Sequence, residues 1–182
     1  MIETVKQKEK KAFDLLKDKF NISNIMASPK LEKVTLSVGI GKKRDDKRLI
    51  EVIEDRLTKI AGQKPVVVKA KKSIAAFKVR AGDKSGFKVT LRGDKMYEFL
   101  DKFINISIPR TKDFRGIDPK SVDGMGNLTM GIKEHIIFPE TGDEELRDIF
   151  GLSITVNTSA KSKDLAKEFL TIIGIPFKKE TK

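Results

Sequence analysis

The residues whose types could support catalysis are few and scattered. The chain has one histidine, His135, and no cysteine. Asp143, Glu144 and Glu145 follow the histidine closely in sequence, so an acid–base or metal site can be imagined there. One imidazole without a thiolate is a poor donor set for a transition metal, and no nucleophile, base and orienting group come together. We expect a surface or hydrogen-bonded histidine, no metal, no cofactor and no enzyme.

Two glycine-containing segments match phosphate-binding loops only in part. The segment at 39–42 lacks the earlier glycine and the following serine or threonine that a Walker loop requires. The segment at 124–127 lacks the third glycine of the dinucleotide fingerprint, and no clear strand precedes it. Neither segment is predicted to bind a nucleotide.

Clustered positive charge is the strongest functional signal. The formal net charge is +12, and residues 64–92 hold nine basic side chains against one acid, Asp83. Most solvated surfaces mix both signs, as residues 3–20 do, whereas a block of one sign repels itself unless a polyanion lies against it. Nucleic acid is the favoured partner. An anionic membrane surface and a solubility patch are the alternatives.

One aromatic residue, Phe77, lies inside this basic block and next to Ile74, Ala75 and Ala76. Two roles fit it: stacking on a base or sugar, or acting as an apolar anchor that holds the conformation of the loop. The other aromatic residues mostly follow helical spacing, so we expect them in the core.

Hydrophobic patterning predicts the elements that must position these residues. Helices are predicted at 3–20, from Asp45 or Asp46 to 62, from 94, and from 162 to 174. Strands are predicted at 31–40, at 65–68, around 87–91 and at 152–156, and a strand or bent strand is predicted at 128–138. A turn is predicted at 41–44, a basic loop at 69–86 and an irregular segment at 109–126.

The predicted strands each have one apolar face and one small or polar face, so helices should cover one side only. We therefore predict an α+β fold with an open mixed or antiparallel sheet, helices packed on one face and a sheet platform for RNA. Residues 1–182 are expected to form one domain. No apolar run approaches the length of a membrane span, and residues 1–20 lack a secretory signal. A soluble intracellular protein is expected.

Long collinear segments resemble the bacterial ribosomal protein L5 family, whose members bind 5S rRNA in the large subunit. The segments are QKPVVVKAKKSIAAFKVRAGDKSGFKVTLRG at 63–93, MYEFLDKFINISIPRTKDFRG at 96–116, DGMGNLTMGIKEHIIFPE at 123–140, FGLSITVNTSAKS at 150–162 and GIPF at 174–177. PKLEKVTLSVGIG at 29–41 also matches, so the resemblance covers roughly residues 24–178.

The resemblance implies that the concave sheet face holds 5S rRNA and anchors it in the central protuberance. Family contacts fall on positions matching Ser37, Gln63 and Thr90. Gln63 and Thr90 have the family's residue types, whereas Ser37 stands where bacterial members commonly carry Asn. A single hydroxyl there replaces an amide with separate donor and acceptor groups. Polar side chains that suit an RNA backbone complete the predicted 5S rRNA surface; they are Thr35, Lys88 and Arg92.

The resemblance also implies a basic loop that reaches the P-site tRNA and a bridge to small-subunit protein thirteen. Large-subunit rRNA and neighbouring proteins of the central protuberance are further implied partners. The expected location is the cytoplasm, bound to the ribosome, with a structural and non-catalytic role. From its charge, the loop is expected to be a mobile arm in the free protein. The expected tRNA contacts are Lys71, Lys72, Lys78 and Arg80.

The alternative is a free-standing nucleic-acid-binding chaperone or modifying enzyme on a related scaffold. An enzyme would need titratable residues that converge in a pocket, whereas this sequence offers a basic loop and an open sheet.

Overall fold

The computed structural model describes residues 3–41, 46–112, 114–141 and 148–178. Within them the chain forms one five-stranded sheet in the order β2–β3–β1–β5–β4 and four α-helices. This confirms the predicted α+β fold with an open antiparallel sheet. The helices are α1 (Val5–Phe20), α2 (Lys47–Ala61), α3 (Asp94–Lys102) and α4 (Lys163–Ile173). The strands are β1 (Leu31–Gly39), β2 (Val66–Lys69), β3 (Lys84–Leu91), β4 (Leu128–Ile132) and β5 (Leu152–Thr158).

The main departure from the predicted elements is at 128–138, where the strand is shorter than expected. β4 ends at Ile132, and a single 3-10 turn, His135–Ile137, follows. The turn forms because the His135 N–H donates to the Phe150 carbonyl and the Phe138 N–H donates to the His135 carbonyl. These bonds take the backbone groups that a longer strand would use for pairing.

Some sequence predictions fall on residues that the structure does not describe. Most of the turn at 41–44 lies outside the described residues, as do the alternative helix cap Asp45 and the acidic residues at 143–145. Asp46 is the observed cap of α2, since its carboxylate accepts the Leu49 N–H at 3.1 Å.

The chain divides into two compact units, which we describe separately. The first unit comprises residues 1–34, 91–130 and 155–182, and the second comprises residues 35–90 and 131–154. A single domain over residues 1–182 stays a prediction.

In the first unit, α1 packs against α3 and α4. α1 begins with a reciprocal capping box, in which the Gln7 N–H donates to the Thr4 hydroxyl and the Thr4 N–H donates to the Gln7 side chain. Lys8 Nζ donates to the carbonyl of Ile173, 3.2 Å away, at the last turn of α4. A cation at a helix C-terminus satisfies an orphan carbonyl and complements the helix dipole.

Glu9 connects three elements of the first unit. One carboxylate oxygen accepts the Leu31 N–H of β1 at 3.0 Å, and the other accepts the Tyr97 hydroxyl of α3 at 2.5 Å. Burial, and next the hydrogen bond to Glu9, raise the pKa of Tyr97 well above its usual range. The phenol therefore stays protonated and keeps donating, which ties α1 to the start of β1 and to α3.

Replacing Tyr97 by Phe should lower the free energy of unfolding by about 1 kcal/mol, because the ring stays but one hydrogen bond is lost. Glu9→Ala should cost about 1–3 kcal/mol, since two partly buried donors lose their acceptor. Urea denaturation measures both changes, with Lys10→Gln on the exposed side of α1 as the control. An unchanged midpoint for both variants would show that α1 is not held by this contact.

In the second unit, one side of α2 is apolar and buried. Leu49, Ile53, Leu57 and Ile60 are buried at helical spacing, and α2 also contacts the 3-10 turn Pro139–Thr141. Alternate side chains of β1 and β3 in the same unit are buried as well, so sheet and helix each contribute one apolar side to the core. Among the helices of the described residues, none combines the length and apolar character needed to cross a membrane.

Candidate nucleic-acid interface

The outer face of the sheet in the second unit carries four of the predicted RNA-binding residues. Thr35 and Ser37 of β1 are half-buried, and Lys88 and Thr90 lie on the neighbouring strand β3. The residues between them in each strand are buried. Since side chains alternate across a pleated strand, these hydroxyls and the ammonium group face away from the core.

Two valines share this outer face, which the sequence analysis did not foresee. Val66 pairs with Lys88, and Val68 pairs with Gly86; cross-strand partners lie on the same face. Val66 is 68% exposed. The sequence did contain a signal for their exposure. Three valines follow one another in this strand, and a pleated strand can bury only alternate side chains. The face is therefore polar with an apolar border at the edge strand β2.

Gln63 and Arg92 lie at the ends of strands and not within them. Gln63 is exposed and precedes β2, directly after Gly62, whose N–H donates to the Thr58 carbonyl at 2.8 Å. Arg92 follows β3 and belongs to the first unit, where its guanidinium donates to the Glu32 carbonyl at 3.5 Å. The structure therefore groups Thr35, Ser37, Lys88 and Thr90 most closely.

The strands β1 and β3 approach each other too closely for a side chain at Gly86. A Cβ at this position would lie 2.4 Å from the carbonyl oxygen of Val38 and 3.4 Å from the Cα of Gly39. Gly39 differs, because a Cβ there would have no protein atom within 4 Å. Gly86 is thus required by the sheet itself, whereas Gly39 leaves open space.

This contrast gives a stability test with a matched control. Gly86→Ala should lower the free energy of unfolding by about 1–3 kcal/mol, as overpacking does, because backbone atoms must move. Gly39→Ala should change it by less than about 0.5 kcal/mol. Thermal or urea unfolding measures both, and equal effects of the two substitutions would contradict the close approach.

The basic loop at 69–86 is a hydrogen-bonded hairpin. Lys69 pairs with Lys84 at its base, and further along Ile74 and Val79 exchange two backbone hydrogen bonds. The only acid of the block, Asp83, accepts the N–H of Arg80 at 2.8 Å. Main-chain bonds therefore shape the loop, and its mobility as a whole stays a prediction. The four cations predicted to contact tRNA are all exposed; they are Lys71, Lys72, Lys78 and Arg80.

The apolar residues of the loop lie at its tip and face solvent. Ile74 is 48% exposed and Phe77 is 72% exposed, in a 3-10 turn at Ala75–Phe77. Ala75 and Ala76 are exposed as well. The structure therefore places this cluster in solvent and not in a buried contact.

His135 is a buried core residue. Its ring stacks on Phe150 at 4.1 Å between centroids, and its Nε2 lies 3.1 Å from the guanidinium of Arg56. Arg56 also donates to the Asp148 carbonyl at 3.0 Å. Since arginine can only donate, Nε2 accepts. This confirms the expectation of a hydrogen-bonded histidine.

The burial of Arg56 was missed in the sequence. Arg56 lies three residues after Ile53 and four before Ile60, so it falls on the buried stripe of α2. This helical spacing could have predicted its burial. Within the described residues, no group of three or more histidine, cysteine, aspartate or glutamate side chains could hold a metal ion.

The glycine-containing segment at 124–127 is a structural turn. Asp123 accepts the N–H groups of Met125 and Asn127 as well as the side-chain amide of Asn127. Desolvation acts to raise the pKa of Asp123, but these hydrogen bonds hold it below its ordinary value. Gly126 has φ +80°, and a Cβ there would lie 2.7 Å from the Ala160 carbonyl oxygen. Gly126 is therefore required by the geometry of this turn and not for binding a phosphate.

An open polar sheet face and a basic hairpin loop with exposed cations are the features of a nucleic-acid-binding protein. Comparison with known proteins agrees: the family model described as ribosomal protein L5 matches residues 24–80, and the model for the C-terminus of the same ribosomal protein family matches residues 84–177. The chain belongs to the ribosomal protein L5 family. This membership confirms the prediction that it is a structural protein and not an enzyme.

Several curated relatives resemble the chain over nearly their whole length. The protein named large ribosomal subunit protein uL5 from Halothermothrix orenii is 51% identical over 162 residues, covering 89% of this chain and 90% of the relative. Those from Thermoanaerobacter and Nitrosomonas europaea are 47% and 53% identical, covering 94% and 90% of this chain and 96% and 91% of the relatives.

Proposed function

We propose that the chain is a structural component of the large ribosomal subunit that binds 5S rRNA through the outer sheet face. It helps to anchor that RNA in the central protuberance and reaches the P-site tRNA with its basic loop. The observation that carries the proposal is the row of small polar side chains on β1 and β3, bordered by exposed cations, in a member of a ribosomal protein family.

The outer face suits RNA for two physical reasons. Thr35, Ser37 and Thr90 present hydroxyl groups that can donate to or accept from the 2′-hydroxyls and phosphates of an RNA strand. Gly39 adds no side chain at all, so a broad RNA surface can approach the backbone. Lys88 supplies the neutralising charge that makes affinity for RNA depend on salt.

The test of 5S rRNA binding uses Gln63→Ala combined with Thr90→Ala. Each substitution removes hydrogen bonds that become desolvated in the complex, so each should cost roughly 1–3 kcal/mol of binding free energy. Filter binding or anisotropy with 5S rRNA at fixed salt measures the loss. Thr171→Ala, at an exposed threonine of α4, is the control. Parent-like affinity of the double variant would overturn the assignment.

The basic loop is assigned to tRNA because it exposes cations and an aromatic tip beyond the sheet. Phosphate contacts from Lys71, Lys72, Lys78 and Arg80 would tolerate any tRNA sequence, since the RNA backbone is the same in all of them. The hairpin hydrogen bonds reduce the ordering cost of presenting these side chains.

Charge reversal separates the loop from the sheet face. Lys71→Glu with Lys72→Glu should weaken retention of P-site tRNA in assembled ribosomes, because phosphates would meet negative charge. If the sheet neutralises about five phosphates, the slope of log affinity for 5S rRNA against log salt concentration should stay at about −4 in this variant. Lys10→Glu with Lys17→Glu on exposed positions of α1 matches the charge change and controls for it. A slope change of about two units would instead place the loop in the 5S rRNA interface.

Two further contacts belong to the same proposal. The family resemblance supports a bridge to small-subunit protein thirteen near residues 139–149, of which 142–147 lie outside the described residues. It also supports contacts with large-subunit rRNA and with neighbouring proteins of the central protuberance.

A further inference from the structure

A second basic segment, comprising residues 106–112, 114 and 115 of the first unit, combines exposed cations with an exposed aromatic ring. Arg110, Lys112 and Arg115 are exposed, and Phe114 is 38% exposed. The nearby Lys120 is exposed too, and in the sequence the acids of this stretch are the residues at 113 and 118. No ion pair within the described part of the chain involves these four cations.

The two exposed phenylalanines of the protein both lie in basic segments. All eleven phenylalanines fall within the described residues, and only Phe77 and Phe114 are exposed. Phe77 lies at the tip of the basic loop, and Phe114 lies between Lys112 and Arg115. An aromatic ring left in solvent beside cations suits a ligand that has both phosphates and flat apolar faces.

The backbone on the C-terminal side of Phe114 and Arg115 is firmly held. Gly116 has φ +92°, and a Cβ there would lie 2.7 Å from the Lys178 N atom. The Ile117 N–H donates to the Pro176 carbonyl at 2.9 Å, and the Lys178 N–H donates to the Ile117 carbonyl at 2.9 Å. These bonds fix where the two side chains leave the main chain.

The N-terminal side of the second basic segment is held by a widened helical turn. After α3, the π-turn Phe103–Ser107 closes with the Ile108 N–H donating to the Phe103 carbonyl at 2.9 Å. The Thr111 N–H then donates to the Ile108 carbonyl, and its hydroxyl donates to the Ser107 carbonyl. With both ends anchored, little backbone entropy is lost when this segment binds a partner.

We propose that the second basic segment is a further RNA-binding surface, which takes an unpaired RNA strand with one base stacked on Phe114. Arg110, Lys112 and Arg115 would contact the flanking phosphates. Arginine suits this role because its planar guanidinium pairs with phosphate through two hydrogen bonds and also stacks on bases. An unpaired strand fits better than a duplex, because paired bases hide the faces that an aromatic ring needs.

This surface belongs to the first unit, whereas the outer face and the basic loop belong to the second unit. The inference goes beyond the function proposed above and does not depend on it. The protein could fail to bind 5S rRNA and tRNA while this surface still bound RNA, or it could bind both of them while this surface bound no RNA.

The test measures binding of a mixed-sequence twelve-nucleotide RNA by fluorescence anisotropy, in a full-length background with Lys71, Lys72, Lys78 and Arg80 changed to Gln. In that background Phe114→Leu should lower affinity about tenfold, the size expected for losing one stacked base. Phe114→Tyr keeps an aromatic ring and should bind as the parent does. Leu retains apolar bulk, so a purely packing role of Phe114 would leave binding unchanged and overturn the proposal.

The cations are tested separately by salt dependence. Arg115→Gln should reduce the log–log salt slope by about 0.7, the value for one phosphate contact on a single strand. Lys10→Gln on α1 removes the same charge and should leave the slope unchanged. Equal slopes for the two variants would show that Arg115 makes no phosphate contact with the RNA, which would contradict the proposal.

Competition identifies the class of partner. Polyglutamate at equal charge concentration should displace the unpaired RNA poorly, because it offers no flat base. Equal displacement would mean that the surface takes acidic proteins or any polyanion, and the proposal would fall.

An RNA duplex of the same length should bind less tightly than the single strand. Equal binding of the duplex would also overturn the proposal, since a duplex exposes no base face within the helix. Binding of 5S rRNA by the Phe114 variants should remain at the parent level.

Discussion

One-sided burial of an antiparallel sheet is the constraint on which the rest of this structure depends. Leu36 and Val38 of β1 and Phe87 and Val89 of β3 are buried, so the pleat turns the residues between them outward. Those outward residues are mainly small hydroxyls, glycine or lysine, with two valines at the edge strand. Gly86 lets β1 and β3 approach closely enough to keep this face continuous. The surface proposed for RNA is thus a consequence of how the core packs.

The protein holds its basic segments with main-chain bonds and leaves their side chains outward. In the basic loop, Ile74 and Val79 pair through backbone atoms, and Asp83 accepts a backbone N–H. In the second basic segment, backbone bonds at Ile108 and Ile117 fix both ends. Ion pairs within a basic segment would compete with phosphate for the same cations. Backbone anchoring shapes both segments without requiring such ion pairs.

The residues that most resembled a catalytic or phosphate-binding site in the sequence have structural roles in the fold. His135 packs on Phe150 and accepts from Arg56, so its ring takes part in the core. Asp123 and Gly126 build a turn through short hydrogen bonds and a positive φ. A buried polar group needs a partner within the protein, and for His135 that partner is Arg56. The residues proposed to bind RNA are instead exposed or half-buried, and each is ordinary in type.

The helices, most of the strands and the family could be predicted from the order of residues alone, because they depend on local periodicity, caps and long collinear motifs. Asp46 caps α2 and Ser162 caps α4 where the sequence predicts. The burial of Arg56 and the exposure of Val66 had signals in the sequence, namely the helical stripe of α2 and the three consecutive valines. The strand order, the end of β4 at Ile132 and the exposure of Phe77 became known only from the folded chain. Each of these depends on which residue distant in sequence becomes a neighbour. Periodicity identifies an apolar face, but the contacts made after folding decide whether that face is covered.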